Sequence, residues 1–313
     1  VGAGALVLFH QAEAPPLVPD ARESREETAA PSKGRSPRPG SSSESSRHAV
    51  APRALASEHA DPEPPSQSPL TKVVPAANPE PGGRLGGDHR VRIALVIDDL
   101  GYELDELKPL EALGVPVTYS VLPFADHTSE VAAELRRRKA EILLHLPMEP
   151  KNGQNPGPGA LLRTMSDGEL REKTEAALKA VPGAVGVNNH MGSLLSSEEG
   201  PMTAVLGVLA ERGLFFLDSR TSAETVGYKV AIGLGIPAAE RQVFLDDGEP
   251  GAEAVHVQFE RLLTLARARG AAIAIGHPHP ETLAALAREV PKAKAEGVEF
   301  VPVSFLLTRS GGE

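Results

Sequence analysis

The chain contains no cysteine and no tryptophan, and only 4% of its 313 residues are aromatic. Without cysteine there is no disulfide, no thiolate metal site and no catalytic thiol, a composition that fits an oxidising compartment without requiring one. The scarcity of aromatic side chains argues against a long stacking groove. A basic stripe is missing too: the net charge is −10 and the basic residues are scattered, which argues against nucleic acid as a partner. The opening apolar run, residues 1–9, is less than half of the roughly 20 residues that a membrane-spanning helix needs.

What is present is unevenly divided. The apolar start and the Ala12-Glu13-Ala14 that follows read as the remnant of a signal peptide or membrane anchor over residues 1–14, with an A-x-A cleavage site. Residues 15–90 are rich in Pro, Ser, Glu, Ala and Gly and show no periodic apolar pattern. Such a segment buries too little apolar surface to offset its ordering entropy, so a disordered linker is expected. The two features imply export, either into the periplasm or on an anchor in the inner membrane facing it. Residues 91–309 carry recurrent apolar runs and are long enough for one sizeable core.

Within that part, strands are expected at 93–97, 117–121, 141–145, 184–187, 214–217, 242–245, 271–275 and 298–301. Helical periodicity fills the gaps at 103–113, 128–139, 167–179, 202–212, 253–269 and 281–289, with Ser166 and Glu169 spaced as a capping box. Residues 151–159 hold three Gly and two Pro and read as a loop. The pattern is α/β: about seven or eight β-α units, giving a distorted barrel of parallel strands or an open doubly wound sheet. In both, ligands bind beyond the carboxyl ends of the strands.

The residues at those ends are chemically alike. The first strand leads into Asp98-Asp99, the third ends at His145, and the fourth leads into Asn188-Asn189-His190. Asp218, Asp246-Asp247 and His277-Pro278-His279 follow the next three. Taken singly, an Asp pair is as readily a turn or cap, and a strand-end histidine as readily a satisfied core residue. Their recurrence at one rim is the stronger signal. Adjacent carboxylates repel unless a cation or a shared proton intervenes, and Asp99, His145 and His190 can supply the three ligands of a catalytic zinc site with an open fourth position.

The segments Ile97-Asp98-Asp99-Leu100-Gly101, His145-Leu146-Pro147-Met148-Glu149, Val187-Asn188-Asn189-His190-Met191-Gly192-Ser193 and Gly276-His277-Pro278-His279 together resemble the polysaccharide deacetylase family of the NodB-like superfamily. The match is closest to its divergent, bacterial exported branch. The resemblance implies a distorted β/α barrel in which Asp98 is the general base, Asp99 a metal ligand and His277 the general acid. The family's paired histidines match His145 and, in second place, Glu149, so either Glu149 or His190 completes the ligand set. The family's Arg-containing motif after the fourth strand is absent. Asp218 is a candidate for orienting a ligand or capping a loop, and Asp247 and His279 are candidate metal or substrate contacts.

The expected function is metal-dependent hydrolysis, with Zn2+ as cofactor, removing N-acetyl groups from an amino sugar or an envelope polysaccharide such as peptidoglycan. The alternative is an envelope module that keeps the metal with little or no catalysis and binds glycan or a cell-wall enzyme partner.

Overall fold

A computed structural model describes residues 90–246 and 251–308. The expected leader, linker and Asp247 contact lie outside them.

Among the described residues, nine strands form one sheet: β1 (Arg92–Leu100), β2 (Thr118–Val121), β3 (Glu141–Met148), β4 (Gly186–Met191), β5 (Phe215–Asp218), β6 (Ala238–Glu240), β7 (Val243–Phe244), β8 (Ala271–Gly276) and β9 (Glu299–Phe300). The helices between them are α1 (Leu107–Ala112), α2 (Thr128–Arg137), α3 (Asp167–Ala180), α4 (Glu199–Arg212), α5 (Gly227–Gly233), α6 (Ala252–Arg269) and α7 (Pro280–Ala295). The order across the sheet is β6-β5-β4-β3-β2-β1-β8-β7, with β9 against the start of β1 and every pair parallel. Its two edge strands, β6 and β7, are separated by Arg241 and Gln242 alone. The Arg241 amide donates to the Asp218 carbonyl on one edge, and the Gln242 amide donates to the Ile273 carbonyl on the other, both at 3.0 Å. One short stretch of chain thus serves both edges, so the sheet curls toward closure, as expected of a distorted β/α barrel.

Alternation along each strand sorts the core into two parts. Ile93, Leu95 and Ile97 of β1 pack with the buried faces of the helices. Ala94 and Val96 point the other way and pack with Leu143, Phe215, Leu217, Ile273, Ile275 and Val303 in a smaller cluster on the concave face. Both faces are covered, which is why these strands read as continuous apolar runs. Val303, in a short 3-10 turn near the C-terminus, plugs the far end of the concavity, its amide donating to Thr118 Oγ1 at 3.0 Å.

The capping box at the start of α3 forms as its spacing predicts, with the Glu169 amide donating to Ser166 Oγ and the Ser166 amide donating to the Glu169 carboxylate. Four elements differ most from the sequence expectation. β4 starts later and runs through His190 to Met191; β6 and α5 were not expected; and α7 continues past residue 289 and through Pro291.

Candidate metal centre

The concave face carries the chemistry because of strand parity. Two residues beyond Val96 is Asp98; two beyond Leu143 is His145; two and four beyond Gly186 are Asn188 and His190; two beyond Leu217 is Ser219; two beyond Ile275 is His277. Each therefore continues an inward-facing row past the apolar floor. The β3–β4 register pairs His145 with Asn188, and the β1–β8 register pairs Ile97 with Gly276, which puts Asp98 and His277 at one level. Strict alternation would send Asp99 to the opposite face. Instead its φ of 58° and the register shift between Ile97 and Leu100 turn it back, and Asp98 and Asp99 line the same pocket. Met191 and Arg220, at the ends of neighbouring strands, are also non-glycine residues at positive φ (51° and 49°). Backbone held in this sparsely occupied region tends to collect at functional sites.

Asp99, His145 and His190 meet in this pocket. Asp99 Oδ1 lies 3.1 Å from His145 Nε2 and 2.8 Å from His190 Nδ1, and the two ring nitrogens are 3.1 Å apart. Oδ1 is buried, yet no hydrogen bond of acceptable geometry reaches it. A tetrahedral ion with bonds of about 2.0–2.1 Å sets neighbouring ligand atoms roughly 3.3 Å apart, so a triangle with sides of 2.8–3.1 Å needs only a slight opening to hold one. The donor set, one carboxylate and two imidazoles, suits zinc.

The electrostatics favour positive charge at this point. Burial would raise the Asp99 pKa, but the imidazoles of His145 and His190 hold it below the usual carboxylate range. Burial would lower the His145 pKa, but Asp98 and then Asp99 push it up. A divalent cation can take the place of the protons that this cluster otherwise attracts.

Two further pairs flank the triad. Asp98, 2% exposed, accepts a 2.9 Å hydrogen bond from Asn188 Nδ2, and its other oxygen lies 3.5 Å from His145 Nε2. On the β8 side, His277 Nε2 is 4.0 Å from Asp99 Oδ2. Its Nδ1 is 2.9 Å from Asp246 Oδ1, and Asp246 Oδ2 accepts from the His277 amide at 2.7 Å and the Thr282 hydroxyl at 2.8 Å. Burial lowers the His277 pKa, but the Asp246 hydrogen bond and charge, with Asp98 and Asp99, more than reverse this and raise it to about 9. The surroundings of His277 thus favour its protonated form, and its Nε2 faces the pocket.

The remaining candidates are placed elsewhere. The Glu149 side chain is not in the triad; it accepts a 2.7 Å bond from the Arg163 amide and orders the loop after β3. Asp218 is fully buried and caps its loop, accepting from the Arg220 and Tyr228 amides and the Thr225 hydroxyl. His279 stands at the N-cap of α7, its ring 5.7 Å from that of His277. Asp246, His277 and His279 also lie within reach of one cation, but Asp246 is already engaged on both oxygens. The roles of Asn188 and Asp246 were not visible in the sequence. Parity counted from Gly186 would have found the first; the second depends on β7 and β8 being neighbours.

A sequence model of the divergent polysaccharide deacetylases matches residues 95–307. Over 216 residues, 69% of this chain and 67% of its relative, the sequence is 39% identical to the uncharacterized protein YibQ of Escherichia coli (strain K12). Over 195 residues, 62% of this chain and 69% of the relative, it is 37% identical to an uncharacterized protein of Haemophilus influenzae (strain ATCC 51907 / DSM 11121 / KW20 / Rd). The crystal structure of an uncharacterized protein from Agrobacterium tumefaciens C58 shares the fold with a TM-score of 0.65 at 27% identity, covering 72% of this chain and 92% of that one.

Proposed function

As the chain belongs to the divergent polysaccharide deacetylase family, we propose that it is a zinc-dependent amidohydrolase that removes N-acetyl groups from amino sugars of an envelope polysaccharide. The observation that carries this reading is the orphaned Asp99 Oδ1 between two imidazole nitrogens, with Asp98 on one side and the His277 imidazolium on the other.

Asp99, His145 and His190 would hold the ion, offering Oδ1, Nε2 and Nδ1 respectively. When bound, it would supply Lewis-acid polarisation of the acyl carbonyl and make the attacking water a stronger acid near neutral pH. Asp98, oriented by the Asn188 N–H, accepts a proton from the attacking water as the carbon–oxygen bond forms. His277 gives its Nε2 proton to the departing nitrogen as the carbon–nitrogen bond breaks, and Asp246 stabilises the imidazolium until then. Acetate and a free amine leave. Phe244 and Met191 line the same pocket and give the acyl methyl an apolar neighbour. The polymer and the exported, periplasmic setting are inferred from the family. Among the described residues no helix is long and apolar enough to cross a membrane.

The alternative of a non-catalytic, metal-holding module is disfavoured by the Asp246–His277 pair. A binding module has no need of an imidazolium whose partner is locked by three hydrogen bonds. Acetate release from N-acetylated amino-sugar polymers should be detectable with the purified protein, abolished by chelator and restored by Zn2+. Glycan binding without acetate release, with zinc present, would favour the module and contradict the enzyme.

A further inference from the structure

Asn188 is fully buried on β4, directly opposite His145 in the β3–β4 register. Its amide has four neighbours at hydrogen-bonding distance. Oδ1 accepts from the Ser120 hydroxyl at 2.6 Å and lies 3.0 Å from His145 Nδ1; Nδ2 donates to Asp98 Oδ1 at 2.9 Å and to Ser219 Oγ at 3.1 Å. A primary amide offers two acceptor sites and two N–H groups, so Asn188 is saturated and has no freedom to flip.

Saturation fixes more than position. In the role of base Asp98 presents an acceptor, and the side of the amide facing it is the NH2 group, Nδ2 lying 2.9 Å from Asp98 Oδ1. The carbonyl then faces His145, and because a carbonyl only accepts, Nδ1 of His145 must carry a proton. The lone pair of the neutral ring is thereby assigned to Nε2, the atom 3.1 Å from both Asp99 Oδ1 and His190 Nδ1. No such constraint reaches His190, which presents Nδ1 to the same point.

From this chain we infer that Asn188 is a positioning residue with two separable tasks: its N–H orients the base Asp98, and its carbonyl sets the tautomer through which His145 binds metal. The inference rests on the reading of Asp98 as base and of Asp99, His145 and His190 as ligands. It assigns to one neutral amide a coupling between the proton acceptor and the cation site.

Two substitutions separate the tasks. Asn188→Asp keeps an oxygen acceptor for His145 Nδ1–H but places a carboxylate, with no N–H, against Asp98. Asn188→Leu has similar volume and does neither. Zn2+ affinity by chelator competition is expected to stay within about threefold of wild type in N188D and to fall about tenfold or more in N188L, the range for lost partners of metal-bound histidines. In N188D at neutral pH, kcat should drop about 100-fold, as for loss of an effective general base, with KM nearly unchanged. Nitrogen-15 imidazole spectra of the zinc-loaded wild type should show His145 protonated at Nδ1 and metal-bound at Nε2, a readout that survives even if N188L does not fold. Metal on Nδ1 of His145, or equal loss of zinc affinity in N188D and N188L, would overturn the inference. A wild type that binds zinc while N188L binds it equally well defeats this inference alone; a wild type without zinc affinity defeats the underlying metal reading as well.

Discussion

Asp246 and His277 form the pair in which a local contact most directly sets a chemical property. With both Asp246 oxygens occupied by His277 and Thr282, the carboxylate cannot swing away, and its charge is what keeps His277 protonated against the penalty of burial. If His277 acts as the general acid, kcat falls as pH rises through about 9. In Asp246→Asn the basic limb should move down toward the ordinary histidine value of about 6.5, which at pH 8 leaves about 30-fold less protonated His277 and reduces kcat by up to about 30-fold. A pH–rate profile of the variant whose basic limb stays in place would exclude Asp246 as the cause. The stability consequence has the same sign: a raised histidine pKa contributes stability that is fully present below 6.5 and is lost as pH passes through about 9. Unfolding midpoints of wild type and Asp246→Asn should therefore converge at high pH. Asp98, Asp99, His145 and His277 could be picked out from the sequence because each bears recognisable chemistry at a strand end. Asn188 was missed because it reads as a loop residue; counted as part of β4, parity places it inward but does not show that it acts on two other residues.

At the scale of elements, the floor beneath the site depends on close approach between β4 and β5. Gly186 pairs with Phe215 in the parallel register, and a Cβ on Gly186 would stand 2.6 Å from the Phe215 ring. Phe215 in turn belongs to the apolar cluster on the concave face, directly below the row that continues into Asn188 and His190. Gly186→Ala should therefore destabilise the protein by about 1–3 kcal/mol through overpacking, measured by urea unfolding. An unchanged midpoint would mean that the sheet has slack there. Most of the elements were readable from apolar period and caps. The exceptions have physical reasons. β6 is Ala-Ala-Glu, too short and too weak in β-branched residues to show a strand signal. α5 begins and ends in glycine over seven residues, where helix propensity is poor. β4 was placed early because Asn188, Asn189 and His190 look like loop residues, whereas their pairing with His145, Leu146 and Pro147 makes them strand.

For the whole molecule, the curl of the sheet is what turns scattered residues into a centre. β1, β3, β4 and β8 each bring their own inward row, and the parallel direction stacks the polar ends at one rim. Sequence periodicity left barrel and open sheet undecided; the chain between β6 and β7, bonded to both edges, resolves this in favour of the curled form. One divalent ion is expected where β1, β3 and β4 converge. Anomalous X-ray scattering at the zinc edge, from crystals grown with Zn2+, tests it most directly. One strong peak is expected at about 2.0–2.2 Å from Asp99 Oδ1, His145 Nε2 and His190 Nδ1. A peak instead among Asp246, His277 and His279, or among His256, Glu260 and Glu289, the other groups within reach of a cation among the described residues, would contradict it.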